Sequence, residues 1–303
     1  MKLRVTIDIY SGRPNPTMEI DSNDAKKVLD SINPDGKPKT LSAKSVQPPG
    51  GLGYRGLIVE QLDKASKDHP ETMQLTHEEM FSADSFSALN GAALESLVFG
   101  KISSFQNLPN KKDFKTYLDK EVNRFKKEWT AIKAITIPII PPILVNACSC
   151  APDPDIAWWN DGGVIQSGNN CYNYASNYRT NTFAQPGRSA GQQYTSLAGC
   201  AVAVGQRSAK MGAIADKLVE LPSANNKCPS VGHLVALVIA PGQDFHWYRK
   251  GFNGNWSHKP GGTAARITDN SNNLIPDPRT ANRGPYTQFC CFMQVIHGHI
   301  KIG

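Results

Sequence analysis

The sequence lacks the segments that would direct the protein to a membrane or to the Sec pathway. Its longest apolar run, residues 134–145, has 12 residues including three prolines, which is too short to cross a bilayer. Residues 1–16 reach Asp8 and a Gly/Pro turn before an apolar signal core can form. We therefore expect no Sec-type signal and no transmembrane segment, in a protein that is cytoplasmic or secreted by a non-classical route.

The composition is not as polar as that of a disordered protein, and the sequence has no recognised nucleic-acid-binding motif. Charged residues make up 19% and hydrophobic residues 40% of the chain, which is typical of a folded globular protein. The net charge is +7, and basic residues concentrate at 110–129, where acidic residues interleave at helical spacing. This pattern favours the solvated face of an amphipathic helix, so no nucleic acid is expected as a partner. Attraction to an acidic polymer stays open.

The seven cysteines do not form a recognised metal motif. The sequences CSC (148–150) and CC (290–291) lack the two-to-four-residue gap between the cysteines of zinc knuckles, so neither a metal nor a cofactor is expected. Without a secretion signal, the default is a reducing compartment with free thiols. Disulfide pairing stays open if the protein is exported by another route.

The length of the chain and its prolines predict two domains. A chain of 303 residues exceeds what one hydrophobic core usually supports. Apolar periodicity predicts a first strand at 3–10 and helices at 83–100 and 112–133. The proline-rich stretch that follows marks a boundary. We therefore divide the chain into an α+β N-terminal domain with an adaptor or targeting role (1–135), a linker (136–150) and a C-terminal domain (151–303).

The C-terminal domain is expected to place helices before an antiparallel sheet. The pattern predicts a helix over 196–220, a buried strand at 232–240, a hairpin within 244–261 and a last strand at 286–296. Helices followed by an antiparallel sheet give an α+β fold class.

The predicted hairpin carries two of the seven histidines, His246 and His258. Their separation is even, so a turn of three or five residues would set them opposite each other, with Cβ atoms about 5 Å apart. A four-residue turn or a bulge would turn the two side chains apart. The pair would serve as metal ligands, as a base with its orienting partner, or as an ordinary aromatic cross-strand pair.

A cysteine upstream of the hairpin is the candidate nucleophile. Cys171 follows GNN, and Asn169 or Asn170 is suited to cap a helix that begins at the cysteine. A thiol at a helix start has a lowered pKa, and its unpaired backbone N–H faces a developing oxyanion. The alternative is a buried cysteine that acts as a small hydrophobic residue.

The order of a helix-start cysteine, a histidine on one strand and a polar residue on the next resembles papain-like cysteine hydrolases. Cys171, His246 and His258 match the three corresponding positions of the NlpC/P60 group most closely. The resemblance covers about residues 150–300. The Asp-Cys-Ser start that is usual in that group is replaced here by Asn170-Cys171-Tyr172.

This resemblance implies a role for each residue. Cys171 would attack an amide carbonyl, His246 would act as general base and then as acid, and His258 would orient the imidazole. Asp269 competes with His258 for the orienting role, because a carboxylate stabilises an imidazolium better. The remaining candidates are oxyanion and substrate-binding residues, namely Gln166, Asn170, Trp159 and Trp247, the tryptophans with core packing as their alternative.

These features together predict a thiol hydrolase that cleaves an amide bond in a peptide or a peptidoglycan stem peptide, and that acts as a toxin or effector. Acyl transfer or deamidation through the same residues is an alternative, because water and amines compete for one thioester. The rival from another class is a non-catalytic ligand-binding or interaction protein in which Cys171 is merely buried. The oligomeric state is not readable from the sequence.

Overall fold

The computed structural model describes residues 2–32, 51–62, 72–75, 91–133, 148–221 and 226–303, which form two compact units. The described parts of unit 1 are residues 2–9, 15–32, 54–62, 72–75 and 91–127. Those of unit 2 are residues 10–14, 51–53, 128–133, 148–221 and 226–303. Three short segments assigned to the N-terminal domain from sequence, 10–14, 51–53 and 128–133, thus belong to unit 2. Most of the predicted linker, residues 136–147, lies outside the described residues.

Unit 1 combines an antiparallel sheet with helices. Its elements are β1 (Lys2–Asp8), β2 (Thr17–Asp21), α1 (Ser22–Ile32), β3 (Gly56–Gln61), β4 (Thr72–Leu75), α2 (Gly91–Phe99) and most of α3 (Lys111–Lys133). The strands pair in the order β2-β1-β3-β4. The predicted first strand and the helix at 112–133 are confirmed. The helix predicted over 83–100 is present from Gly91, and its first part lies outside the described residues.

A buried ion pair fixes the end of β1 in unit 1. Arg55 donates from Nε and from a terminal nitrogen to the Asp8 carboxylate, at 3.0 and 2.5 Å. Both side chains are almost completely buried. A bidentate pair of this kind holds one geometry. It therefore ties the last residue of β1 to the residue before β3.

Unit 2 is also mixed helix and antiparallel sheet, so the α+β class is confirmed. Its helices are α4 (Ile156–Trp159), α5 (Val164–Gly168), α6 (Cys171–Ser176) and α7 (Ala209–Ala215). Its strands are β5 (Val219–Glu220), β6 (His233–Ala240), β7 (Asp244–Lys250), β8 (Trp256–His258) and β9 (Gln288–Val295). They pair in the order β5-β9-β6-β7-β8. None of the described helices in either unit has the length and hydropathy needed to cross a membrane.

The central strand β6 of the sheet of unit 2 is buried on both faces. Every residue of β6 is buried. Val235 and Leu237 pack in a cluster with Cys171 of α6, whereas Ala236 and Val238 pack in a second cluster on the opposite face. Side chains alternate along a strand, which explains this division. The continuous apolar run that predicted a buried strand is therefore confirmed.

The start of α6 is fixed by a reciprocal cap. The Asn170 side chain accepts hydrogen bonds from the backbone N–H groups of Tyr172 and Asn173. The Asn173 side chain in turn accepts one from the backbone N–H of Asn170. This capping box satisfies donors that a helix start otherwise leaves unpaired. It confirms the prediction that Asn170 caps a helix beginning at Cys171.

The end of α6 is held to the sheet by two buried side chains. His233 Nε2 lies 2.7 Å from the carbonyl oxygen of Ala175. Arg249 donates to the carbonyl oxygen of Tyr174 and to the Asn177 side chain, at 3.1 and 2.7 Å. Burial lowers the pKa of Arg249, and its position at the negative end of the helix favours the charge. These contacts fix the position of α6, and hence of Cys171, relative to the sheet.

The helix predicted over 196–220 was wrong in extent. Only Ala209–Ala215 is helical, and β5 follows it. Gly205 has a positive φ of 83°, which ends any regular helix before it. The Ser208 side chain then accepts from the backbone N–H of Met211 and caps the shorter helix.

All seven cysteines lie in unit 2 among the described residues, and four of them pair. Cys148 joins Cys228, and Cys200 joins Cys290, with Cα atoms 5.5 and 5.2 Å apart. The free cysteines are Cys150, Cys171 and Cys291. The expectation of seven free thiols was therefore wrong, and the disulfide alternative holds for two pairs. Spatial proximity decides the pairing, which sequence spacing does not show.

The disulfides give a first prediction. Unfolding without reductant should release three titratable thiols, and unfolding after reduction should release seven, as measured with a chromogenic thiol reagent. The Cys200→Ser/Cys290→Ser double variant should lose about 2 to 5 kcal/mol of stability, because the bond closes a long loop. Cys150→Ser is the matched control, since this exposed cysteine is unpaired. Seven free thiols in the unreduced protein would contradict the pairing.

Buried His233 gives a second prediction. Burial lowers its pKa from 6.5 to about 3, so the folded protein holds the neutral ring. Between these two values the unfolded chain binds a proton that the folded chain does not, so stability is full above pH 6.5 and falls as pH decreases. The stability difference between wild type and His233→Gln, measured by urea unfolding, should narrow by about 2 kcal/mol from pH 7 to pH 5. An unchanged difference would contradict the buried neutral ring.

Candidate functional site

Strands β7 and β8 form the hairpin that carries the two histidines. Their connection has five residues, 251–255, and His258 lies opposite Tyr248. His246 and His258 therefore share a face, as predicted, but they are diagonal neighbours and not directly opposite. The turn is centred one residue later in the chain than it would be if His246 lay directly opposite His258. A shift of one residue in the centre of the turn moves the strand pairing by two residues, so His258 pairs with Tyr248. The rings still meet, since His246 Nε2 lies 2.9 Å from His258 Nδ1.

The histidine pair is the middle of a chain of hydrogen bonds. Contacts of 2.6 to 2.9 Å join six groups, in order the Thr268 carbonyl oxygen, His258, His246, the Ser11 hydroxyl, the Tyr286 hydroxyl and the Asp244 carboxylate. The five side chains of this set are all fully buried. The chain therefore lies inside unit 2, away from bulk water.

The number of contacts in this chain can be compared with the number of hydrogens that its groups supply. The chain has five contacts, and each needs one hydrogen. The hydroxyls of Ser11 and Tyr286 supply two, and two neutral imidazoles supply two more, while a carbonyl and a carboxylate supply none. The neutral groups thus supply hydrogens for four of the five contacts. We call the whole set, from the Thr268 carbonyl oxygen to the Asp244 carboxylate, the relay.

Asp244 also anchors the segment that carries Ser11. We call residues 10–14, with the sequence YSGRP, the strap. The Asp244 carboxylate accepts hydrogen bonds from three consecutive strap amides, those of Ser11, Gly12 and Arg13, at 2.6, 3.1 and 2.9 Å. Burial raises the pKa of Asp244, and its hydrogen bonds oppose that shift. A buried carboxylate thus holds the strap by its backbone.

Two amide side chains hold the strap from the other side. The carbonyl oxygen of Gly12 accepts from Asn170 Nδ2 at 2.6 Å and from Gln185 Nε2 at 2.8 Å. Gln185 is itself positioned, since its Oε1 accepts from the Tyr194 hydroxyl. Asn170 directly precedes Cys171. Both donors also contact the carbonyl oxygen of Ala184, at 2.7 and 3.1 Å, so they hold two backbone carbonyl groups at once.

Cys171 is the first residue of α6, as predicted, and is fully buried. Its Sγ lies 4.0 Å from the carbonyl oxygen of Phe245, and Ser11 Oγ lies 3.3 Å from the same oxygen. Burial raises the pKa of the thiol well above its ordinary value, and the negative charge of Asp244 raises it further. The predicted lowering of this pKa was therefore wrong for the buried thiol. Removal from water outweighs the field of a short helix.

The structure places Asp269 outside the histidine chain. Its carboxylate accepts from three backbone N–H groups of the loop that follows, at 2.8 to 3.0 Å. The contact beyond His258 goes to the carbonyl oxygen of Thr268, the neighbour of Asp269. Asp269 thus stabilises the loop next to Thr268. The group that contacts His258 is the Thr268 carbonyl oxygen and not the Asp269 carboxylate that the sequence suggested.

Gln166 contributes its backbone to the site's surroundings. It lies in α5, and its carbonyl oxygen accepts from the Lys259 ammonium at 2.5 Å. Lys259 is fully buried and also donates to the carbonyl oxygens of Asn169 and Gly261. Gln166 therefore contacts Lys259 through its backbone, and its role as an oxyanion donor stays a prediction.

Trp159 and Trp247 lie in the core instead of lining an open cleft. Both are fully buried. Trp159 packs edge-on against Tyr174, with ring centroids 5.1 Å apart, and Trp247 packs against Tyr172 at 5.4 Å. Both partners belong to α6. Their substrate-binding role is therefore not supported, and the core-packing alternative describes them.

The metal-ligand interpretation of the histidine pair finds no support in this geometry. His246 Nε2 and His258 Nδ1 face each other at hydrogen-bonding distance, which leaves no room for an ion between them. In the part of the chain that the structure describes, no three His, Cys, Asp or Glu side chains are grouped to hold a metal ion.

Sequence reasoning missed four polar residues of the site, namely Ser11, Gln185, Asp244 and Tyr286. Ser11 lies 235 positions from His246, and no local pattern links them. Asp244 had a usable signal, because it opens the same buried strand as His246. A buried carboxylate needs hydrogen-bond partners, and these turn out to be the strap and Tyr286.

Comparison with known proteins identifies a relative. No protein-family model matches the sequence, and no solved structure matches it significantly. The sequence is 48% identical over 152 residues to insoluble matrix shell protein 1 of Ruditapes philippinarum. The match covers 50% of this chain and 93% of that protein. At this identity and coverage, the chain belongs to the family of insoluble matrix shell protein 1.

Proposed function

We propose that unit 2 is a papain-like thiol hydrolase domain that acts on an amide bond of a peptide or a peptidoglycan stem peptide. The observation that carries this proposal is that the Cys171 thiol, at the start of α6, and the Ser11 hydroxyl both contact the Phe245 carbonyl oxygen, while the same hydroxyl contacts His246 of the His246–His258 pair. A nucleophile, a base and a group that orients the base are the minimum for such chemistry.

The proposed mechanism assigns each group one step. His246 takes the proton of the Cys171 thiol, and the thiolate attacks the amide carbonyl carbon. His258, fixed by the Thr268 carbonyl, orients the His246 ring and spreads its positive charge. Collapse of the tetrahedral adduct breaks the C–N bond, and His246 returns the proton to the departing amine. Water then hydrolyses the thioester with His246 as base.

The donors for the oxyanion are already paired in the structure. Asn170 Nδ2 and Gln185 Nε2 hold a carbonyl oxygen together, which is the task that the developing oxyanion requires. Donors that are already oriented before the reaction starts need no energy for reorientation in the transition state. In the closed site they hold Gly12, so the proposed hydrolase works after the strap has left.

A second candidate function is supported by the relative and by burial. Insoluble matrix shell protein 1 is named as a matrix component, and Cys171 is completely enclosed with a raised pKa. A non-catalytic matrix protein would use the hydrogen-bonded chain only to stabilise its core. The two candidates differ in whether Cys171 and His246 are needed for any chemistry.

Secretion is part of either proposal. Two disulfides form stably in oxidising surroundings, and the relative is a shell matrix protein. We therefore propose an extracellular location for this chain.

The hydrolase proposal predicts a specific loss of activity. Cleavage of a quenched-fluorescent peptide library and of purified muropeptides should fall at least about a thousandfold in Cys171→Ser and in His246→Ala. His258→Asn should fall less, because it keeps a polar group beside the base. Cys150→Ser and His299→Ala are matched controls at exposed positions and should keep wild-type rates.

The same assays are run with the strap displaced, in the Gly12→Ala background. If neither wild type nor this variant cleaves any probe faster than Cys171→Ser, the hydrolase proposal fails and the matrix candidate is favoured.

A further inference from the structure

The strap is bound in unit 2 in the way that a protein binds a peptide ligand. Its backbone supplies both donors and an acceptor to the rest of unit 2. Three consecutive N–H groups point to the Asp244 carboxylate, and the Gly12 carbonyl oxygen points to two amide donors. Main-chain hydrogen bonds of this kind give affinity for a peptide whatever its side chains.

The position of Gly12 excludes every other residue type. A Cβ atom added there would lie 2.4 Å from the carbonyl oxygen of Phe245 and 2.5 Å from its ring. One of these atoms belongs to the backbone of β7, which cannot move away as a flexible side chain would. The φ of Gly12 is not positive, so it is space and not backbone conformation that demands glycine.

The flanking strap residues also have defined neighbours. The Ser11 hydroxyl contacts His246 Nδ1 and the Tyr286 hydroxyl. Arg13 donates to the Gln243 carbonyl oxygen at 3.1 Å. The Tyr10 hydroxyl reaches the Gln243 side chain at 3.3 Å. The surface around Gly12 therefore recognises four successive residues.

We infer that unit 2 contains a peptide-binding groove occupied by its own strap, and that this groove selects peptides with glycine at the position of Gly12 after a small hydroxyl residue. As a statement about the substrate class of the hydrolase, it rests on the proposed function. As a statement about binding, it stands without any chemistry at Cys171. A peptide enters the groove when the strap leaves it.

The test displaces the strap and supplies it again as a separate peptide. Gly12→Ala should weaken the strap in its groove, and Gly163→Ala is the matched control, because a Cβ at Gly163 meets only ordinary contacts. The probe is a fluorescein-labelled Tyr-Ser-Gly-Arg-Pro peptide, with Tyr-Ser-Ala-Arg-Pro as its control, measured by fluorescence anisotropy. Alkylation of Cys171 by iodoacetamide, mapped by mass spectrometry, reports exposure of the site.

The glycine peptide should bind Gly12→Ala at least tenfold more tightly than it binds wild type or Gly163→Ala. The alanine peptide should bind none of the three. Cys171 should be alkylated at least tenfold faster in Gly12→Ala, and the glycine peptide should slow that reaction again. Equal binding of the two peptides, or no gain in alkylation with the fold retained, would overturn the inference.

If Gly12→Ala does not fold, two further measurements decide. Asp244→Asn keeps the shape of the anchor without its charge, so it should also expose Cys171. In wild type, the amides of residues 11–13 should exchange with deuterium as slowly as those of β7, and fast exchange would overturn the inference. Peptide binding without cleavage in any variant would leave the groove established and refute only the hydrolase.

Discussion

The organisation of unit 2 depends on the buried carboxylate of Asp244. It accepts three backbone N–H groups of the strap and the hydroxyl of Tyr286 in a region closed to water. An isolated carboxylate there would be strongly unfavourable, and removing one partner from a buried charged network costs about 3 to 5 kcal/mol. The strap is therefore part of the folded core of unit 2, although its sequence neighbours on both sides belong to unit 1.

A second constraint sets where the thiol lies. Helix α6 has only six residues, so its own hydrogen bonds contribute little stability. Its position comes from the reciprocal cap at Asn170 and from Arg249 at its end. The proposed nucleophile is thus placed by polar contacts that are satisfied only in this arrangement, which is how a reactive group is held to a fixed geometry.

Burial changes both the acidity of Cys171 and the strength of the hydrogen bonds around it. The same enclosure that raises the pKa of Cys171 also strengthens each hydrogen bond of the relay, because both effects come from the loss of water. A protonated and fully buried thiol is unreactive. Under our proposal, departure of the strap would admit water and remove the Ser11 hydroxyl from His246 and from the Phe245 carbonyl oxygen, which the thiol also contacts. One movement would then change both the access to the thiol and its acidity.

The sequence by itself determined the α+β class, the buried strand β6, the hairpin, and the cysteine that opens a capped helix, because each depends on local periodicity, turn residues or capping chemistry. It also indicated the histidine pair, since an even spacing together with a turn of three or five residues keeps the two side chains on one face. Only the tertiary structure decided the exact register of that pair, the two disulfides, the burial of Lys259, Trp159 and Trp247, and the recruitment of the strap. These depend on contacts between positions up to 275 residues apart, and no local pattern encodes which distant group will satisfy a buried charge.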